Sequence, residues 1–490
     1  MNRQKFLRLA FLLCPALLVA ADAAKAAPTK PNFIVILSDD QGWGTTSVLM
    51  DPLVPESKSD FFQTPNIERL AKAGMRFTQG YAAHANCSPS RAALQTGRSP
   101  AALHMTDIVE RNSGPGYEGN RLNPPRHISA LPAGARTIPL VLKARLPEYR
   151  AAHFGKWHLG SDPKDFGYDS SDGPTSNRGG AEKVNLPDDP KKVFSITQKA
   201  AAFLKEQTKA GHPFYLQVSH WAVHDPNQSR PSTTAQFKDL PKGARHNNIG
   251  YGAMQFDMDE SIGLLLDTVQ AAGIADNTYI IFTSDNGAQP SDDPENINGP
   301  VRGHKATVWE GGIRVPFMVA GPGVKPGSIS RTPVVGHDIL PTICDLAGIS
   351  TWPELVEGGS MKPVLLGDGT APIKRRNNFL VFHWPHYQHQ KKSTPDTAII
   401  ADGWKLHYWW ETDSVQLFHL DQDLAESKDL ASAEPERAAD MRKMMMNYLK
   451  SVQAQLPVLN PDYKAGDKPD DDPPAKKAGE NRSKSKGEGA

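Results

Sequence analysis

The chain has 490 residues, 39% hydrophobic and 22% charged, which excludes a disordered or fibrous protein and supplies apolar mass for one large core and a second, smaller unit. Its 55 basic residues balance 54 acidic ones, for a net charge of +1. That balance leaves no electrostatic footprint for nucleic acid or for an anionic membrane surface.

In chain order, the first predicted element is an export signal. Arg3, Lys5 and Arg8 give a basic start, Phe11 to Ala20 is an apolar run, and small residues follow at Ala21-Asp22-Ala23. The run is too short to span a bilayer, so residues 1–27 are expected to be cleaved rather than to anchor, leaving the protein periplasmic or fully secreted and free of the membrane. Of three cysteines, Cys14 leaves with the signal. Cys344, among Ile339, Ile343 and Leu346, reads as a small core residue, and Cys87 is better explained by chemistry.

From residue 28 to 375 the pattern alternates strand-like and helical segments, which predicts an α/β fold with a largely parallel sheet. Phe33 to Ser38 (FIVILS) is a continuous apolar run, as in a strand covered on both faces. A helix is predicted at Pro65 to Ala73, capped by Thr64 and stopped by Gly74, with Ile67, Leu70 and Ala71 as its apolar stripe. Further strands are predicted at Arg150 to Phe154, Phe214 to Val218, Tyr279 to Ser284 and Val315 to Ala320. A long helix is predicted from Gly250 to Ala272, with Met254, Met258, Ile262, Leu265, Leu266 and Val269 on one face, and another from Asp338 to Ala347.

The character changes near residue 376. Asn377 to Trp384, Ala398 to Trp410 and Val415 to Leu420 read as antiparallel strands, and Pro435 to Leu456 as a helix aligning Met441, Met445, Leu449 and Val452. Residues 376–462 are therefore expected to form a smaller C-terminal α+β subdomain. Residues 463–490, rich in Lys, Asp, Pro and Gly, are expected to be a disordered tail.

Polar residues gather where apolar strands stop. FIVILS runs into Asp39-Asp40, the strand at Ala151 to Phe154 into Gly155-Lys156-Trp157-His158, FYLQVS into His220 and His224, and YIIFTS into Asp285-Asn286. In an open parallel sheet the carboxyl ends of the strands line the ligand crevice, so these groups should converge. One Asp after a strand is an ordinary turn residue, but four coinciding ends argue for a site. Asp39, Asp40, Asp285 and Asn286 are all oxygen donors, a set that suits calcium or magnesium and disfavours zinc.

Cys87-Ser88-Pro89-Ser90-Arg91 opens a helical stretch, Ser90 to Gln95, that ends at Gly97. Pro89 suits the first turn and places Cys87 at the positive end of the helix, where anions are attracted and a thiol pKa is expected to fall. A buried structural cysteine explains neither Pro89 nor Arg91.

CSPSRAALQTGR resembles the sulfatase signature, C-x-P-S-R followed by T-G-R. SDDQGWG, GKWHLG, SDNGA and GHKATVWEGGIRVP match four further motifs of that family in the expected order, and LFHLDQDLAESKDLA is similar to a segment near the end of its domain. The resemblance covers about residues 31 to 465 and implies an alkaline-phosphatase-like, mostly parallel central sheet flanked by helices, with the smaller C-terminal subdomain. It implies that a formylglycine-generating maturation enzyme, which reads the Cys, Pro and Arg, oxidises Cys87. The resulting aldehyde hydrates; one hydroxyl attacks sulfur, and loss of a proton from the other expels sulfate.

The resemblance assigns a calcium ion to Asp39, Asp40, Asp285, Asn286 and residue 87, magnesium being the alternative. The metal and Lys156 would offset sulfuryl charge, Arg91 would hold the hydrate, and His158 would be the base of the elimination step. His224 and Lys305 would donate to the leaving oxygen, and Asp285 would also take the proton of the attacking hydroxyl. The family often has Pro-His where this chain has Val223-His224, and His220 is the alternative there. The implied activity is removal of sulfate from a sulfated carbohydrate. The alternatives are a small aryl sulfate substrate, a phosphodiesterase or phosphonate hydrolase of the same superfamily, and a sulfated-glycan binder with unmodified Cys87. The intact signature speaks against the last.

Weaker signals remain. His383, His386 and His389 in HWPHYQHQ suggest a loop of the small subdomain facing the crevice, with a substrate-contact role ahead of zinc. Trp157, His104 and Arg302 fit either substrate contact or scaffold. Trp404, Trp409 and Trp410 fit core packing ahead of a sugar-stacking surface.

Overall fold

The computed structural model describes residues 30–464 apart from 112–118, 181–185 and 290–296. The expected export signal lies outside the described residues, as does the expected tail beyond residue 464. Among the described residues no helix is long and apolar enough to cross a membrane.

The strands, in chain order, begin with β1 (Asn32–Ser38), β2 (Met75–Phe77), β3 (Arg150–Gly155) and β4 (Ser170–Ser171). They continue with β5 (Phe214–Ser219), β6 (Thr278–Ser284), β7 (Phe317–Ala320) and β8 (Ser328–Ser330). These form one sheet in the order β8-β2-β7-β6-β1-β5-β3-β4. β7 runs antiparallel to both its neighbours, and every other pairing is parallel. β1 sits centrally, between β6 and β5, so the loops that follow the neighbouring strands meet at its carboxyl end.

The helices are α1 (Pro65–Ala73), α2 (Cys87–Thr96), α3 (Val193–Ala210), α4 (Ile249–Ala271) and α5 (Ile339–Leu346). Ile34 and Ile36 join a core with Ile67 and Leu70 of α1, Ile196 of α3 and Met254, Met258 and Ile262 of α4. Phe33, Val35 and Leu37 join a separate core with Ala92 and Leu94 of α2 and Ile339, Leu340 and Ile343 of α5. The two-sided burial accounts for the unbroken apolar run of β1.

Helix α1 spans the predicted residues, but Thr64 does not cap it: its hydroxyl accepts from the Ser47 amide at 2.9 Å. The first-turn amides of Asn66 and Ile67 donate instead to Asp259 of α4, at 2.9 and 2.8 Å. A distant carboxylate thus replaces the local cap.

The C-terminal part is a four-stranded antiparallel sheet, β9 (Leu380–Trp384), β10 (Asp396–Ala401), β11 (Trp404–Trp409) and β12 (Ser414–His419), backed by α6 (Pro435–Ser451). The single strand expected over Ala398 to Trp410 is in fact two, β10 and β11. Asp402 (φ 49°) and Gly403 (φ 78°) turn the chain between them, and an Asp-Gly pair is a strong hairpin signal. One face of this sheet (Val381, Ile399, Leu406, Leu417) packs on Met441, Met445 and Leu449 of α6. The other face (Leu380, Phe382, Trp384) packs on Tyr81, Ala85, Val308 and Ile313 of the main unit.

A fully buried ionic network crosses that junction. Lys405 Nζ lies 3.0 Å from Glu310 and 2.9 Å from Glu426. Glu310 also accepts from Arg314 at 2.7 Å, and His407 bridges Glu426 and Asp396 at 2.9 Å each. Removing one member of such a network leaves uncompensated buried charge. Lys405→Met is expected to destabilise the protein by about 3–5 kcal/mol in urea unfolding; a loss under about 1 kcal/mol would contradict this account of the junction.

Candidate active site

The predicted strand-end groups converge on one place, His220 and Trp157 excepted. Asp39 and Asp40 leave β1 fully buried, and Asp40 adopts φ 59°. At the end of β3, Gly155 takes φ 97°; a Cβ there would lie 1.9 Å from the Ser219 carbonyl, so only glycine lets the strand end this close to β5. The next residue, Lys156, then sets its ammonium 2.5 Å from Asp39. Asp285 and Asn286 follow β6, and the Asp40 amide donates to Asp285 Oδ1 at 3.2 Å.

Cys87 occupies the first turn of α2, with its Sγ 3.6 Å from Asp39 Oδ1. One ligand atom from each of Asp39, Asp40, Cys87 and Asp285 falls within 4.8 Å of the others. Arg91, one turn along α2, closes its fork on Asp285, with Nε and Nη2 at 2.8 and 2.7 Å, and also donates to the Lys156 carbonyl. Lys305 sits 2.7 Å from Asp40 Oδ1, and Asp40 also accepts from Asn286 Nδ2 and Gln289 Nε2, each at 2.7 Å.

The electrostatics follow from burial. Against the penalty of burial, Lys156, His224 and Arg91 hold Asp39 well below the usual carboxylate range. Burial and the neighbouring charge of Asp39 push Asp285 the other way, up to about 6. Burial lifts the Cys87 thiol to about 12, and Lys156 and Lys305 only partly offset it. The expected lowered thiol pKa is therefore wrong: desolvation outweighs the helix end.

The residues fit a hard divalent cation. The donors are oxygens, burial and Asp39 raise the pKa of the Asp285 carboxyl, and Asn286 Oδ1 is buried with no hydrogen-bond partner. Asp39, Asp40, Asp285 and Asn286 would hold such an ion.

His158 is fully buried at φ 60°, with Nε2 2.5 Å from Glu110 Oε2. Burial and Lys156 lower its pKa to about 4, while against the penalty of burial the hydrogen bond and charge of His158, with Lys156, together draw Glu110 down to about 2. At neutral pH Glu110 is thus ionised and accepts, Nε2 carries the proton, and Nδ1, buried without a partner, keeps its lone pair. His224, not His220, faces the acidic cluster: its Nε2 lies 3.9 Å from Asp40 and its side chain is 17% exposed. The His220 amide extends the sheet by donating to Leu37, and its ring is buried.

Three participants were missed by sequence reasoning. Glu110 lies 48 residues from its partner His158 in a stretch without periodicity, so nothing local signals it. Gln289 stands just past SDNGA and was within reach of the motif. Lys391 contacts Gln289 at 2.8 Å from the C-terminal sheet, a pairing only packing decides.

The weaker candidates resolve into scaffold. His383 belongs to strand β9 rather than to a loop. Its ring bonds Thr397 and the Gln455 carbonyl, His386 bonds Thr106, and His389 bonds Asn120, so the three do not converge. Trp157 packs on His153, Phe166 and Tyr168, His104 bonds the Gln453 carbonyl, and Arg302 covers Trp309. Trp404, Trp409 and Trp410 pack on His419, His407 and Tyr408. Cys344 is buried, and neither it nor Cys87 is bridged.

Residues 31–349 match the family model described as Sulfatase, and residues 304–455 match one described as N-sulphoglucosamine sulphohydrolase, C-terminal. A Mus musculus protein named N-acetylgalactosamine-6-sulfatase is 31% identical over 446 residues, 83% of this chain and 78% of that protein. The Homo sapiens protein of that name is 29% identical over 456 residues, 86% of this chain and 80% of its own. The crystal structure of Ps i-CgsB in complex with k-i-k-neocarrahexaose superposes with a TM-score of 0.70 at 25% identity, covering 86% of this chain and 93% of that one.

Calorimetric titration of chelator-stripped protein with calcium is expected to show one site, weakened on the order of 100-fold in Asp40→Asn. Unchanged affinity in that variant would remove Asp40 from the ligand set.

Proposed function

The chain belongs to the sulfatase family, and from that premise we propose that it removes sulfate from a sulfated carbohydrate, using formylglycine made from Cys87 beside a calcium ion. It is a sulfatase by membership; the substrate class, the modification and the ion are the proposal. The observation that carries it is the placement of Cys87, at the start of α2, among three buried carboxylates and an unpartnered Asn286 oxygen. Burial pushes the unmodified thiol up to about 12, so without a bound cation it would be a poor nucleophile at neutral pH. The carbohydrate reading rests on the relatives named N-acetylgalactosamine-6-sulfatase and on the oligosaccharide in the Ps i-CgsB complex.

Formylglycine at position 87 supplies a hydrate with two hydroxyls, one to attack sulfur and one whose deprotonation releases sulfate. A calcium ion held by Asp39, Asp40, Asp285 and Asn286 supplies Lewis-acid stabilisation of the sulfuryl oxygens. The chain's own residues do the remainder. Lys156, fixed on Asp39 at 2.5 Å, adds a positive charge for the developing sulfuryl charge. Arg91 locks Asp285 in place and stands one helical turn from residue 87, where it would hold the hydrate. Asp285, the carboxylate with the raised pKa, takes the proton of the attacking hydroxyl.

His158 is neutral with a free Nδ1 and acts as the base that starts elimination. Glu110 fixes its tautomer and ring through the 2.5 Å contact. Lys305, kept charged beside Asp40, would supply the proton and the charge for the departing alcohol oxygen. His224 faces the same pocket across Asp40, but burial draws its pKa down to about 4 and its Nδ1–H is held by the Asp225 carbonyl, so it would add a second proton only once the anionic ester favours protonation of its Nε2.

With 4-nitrophenyl sulfate, Cys87→Ser is expected to release at most one equivalent of alcohol and to stall as a sulfated serine visible by intact mass, with kcat down on the order of 1000-fold or more. Normal turnover by that variant, or a wild-type Cys87 that alkylates while no hydrazide-reactive aldehyde is found, would overturn the mechanism. Comparing sulfate with phosphate esters tests the reaction class. Glu110→Gln keeps the hydrogen-bonding shape but loses the charge, and is expected to lower kcat about 10–100-fold with little change in KM. A matching loss in KM alone would reassign Glu110 to substrate binding.

A further inference from the structure

Lys391 ends a short turn (His389–Lys391) between β9 and β10, and its side chain crosses from the C-terminal sheet to the acidic pocket. Its Nζ donates to Gln289 Oε1 at 2.8 Å, and Gln289 Nε2 donates in turn to Asp40 Oδ2 at 2.7 Å. The ammonium is therefore two hydrogen bonds from the proposed calcium ligands. Among the described residues that amide oxygen is its one hydrogen-bond acceptor, so its charge has no carboxylate of its own there.

The turn is braced rather than loose. His389 bonds Asn120 at 2.8 Å, the Gln388 amide bonds the Ser393 carbonyl at 2.9 Å, and the Ser393 hydroxyl donates to the Ala306 carbonyl at 2.6 Å. Ala306 adjoins Lys305, so the turn is pinned to the site's own loop. The pocket itself is already balanced, with Arg91, Lys156 and Lys305 set against Asp39, Asp40 and Asp285. Lys391 is a positive charge beyond that balance. Burial and the like charges of Lys305 and Arg111 draw its pKa down to about 7, so an anion beside it would restore its charge.

We infer that Lys391 is a specificity-determining residue that binds a second anionic group of the substrate, a carboxylate or a further sulfate near the ester being cleaved. This rests on the sulfatase reading above and narrows its substrate class to glycans carrying more than one negative charge. Among the described residues this lysine is paired to an amide and flanked by cations, so such a group would give it a full charge partner.

The test compares kcat/KM on three sulfated disaccharides: one with the ester sulfate alone, one with an added uronate carboxylate, and one with a second sulfate. Wild-type protein should favour one doubly charged substrate over the singly charged one at least tenfold. In Lys391→Met that preference ratio should collapse, chiefly through KM, and Lys391→Arg should restore most of it. The arm that responds identifies the group as carboxylate or sulfate. A ratio unchanged in Lys391→Met, or no preference in the wild type, would overturn the inference and assign Lys391 to bracing the turn. Absence of desulfation in every arm, together with no hydrolysis of 4-nitrophenyl sulfate, would instead count against the sulfatase reading on which it stands.

Discussion

Three carboxylates, Asp39, Asp40 and Asp285, are buried within 4.8 Å of one another, and the catalytic edge of the sheet is organised around making that tolerable. Two like charges about 4 Å apart repel by about 4 kcal/mol at an effective dielectric constant near 20. Such a cluster persists only where positive charge is delivered to each member. Lys156 reaches Asp39, Lys305 reaches Asp40, and Arg91 clasps Asp285, each from a different segment of the chain. Burial and the neighbouring charge of Asp39 still raise Asp285 to about 6, a cost that a divalent cation among the same oxygens would relieve.

That need explains the local geometry. β1 lies between β5 and β6, so the acids are met by lysine and histidine loops on one side and by Asp285-Asn286 on the other. Gly155 permits the close crossing over Ser219 that aims Lys156. Helix α2 is buried along its whole length, which sets Arg91 and Cys87 rigidly against the acids and desolvates the thiol. The same desolvation that raises the thiol would give the proposed oxidised residue a dry place beside Lys156, Lys305 and Arg91.

A second buried charge cluster, Glu310, Lys405, Glu426, His407 and Asp396, ties the antiparallel sheet to the main unit. Glu310 opens the segment that follows Lys305, Ala306 and Trp309 in sequence, so the junction and the active-site loop share one stretch of backbone. The C-terminal sheet is thereby held in register with the crevice, and its β9–β10 turn can present a fixed side chain there instead of a mobile one.

The sequence by itself determined the alkaline-phosphatase-like architecture, the sulfatase membership and the set of groups that end the central strands. Those properties are written in local patterns: an apolar run such as FIVILS stopping at a carboxylate pair, helical stripes, and contiguous motifs such as CSPSR. Tertiary structure alone decided the rest. Asp259 supplanted Thr64 at the start of α1, burial reversed the expected shift of Cys87, and Glu110 and Lys391 entered the site. Each of these depends on which distant groups are brought together and how much water is removed between them, and no spacing along the chain encodes that. The β10–β11 hairpin is the exception, since Asp402-Gly403 carried a readable turn signal.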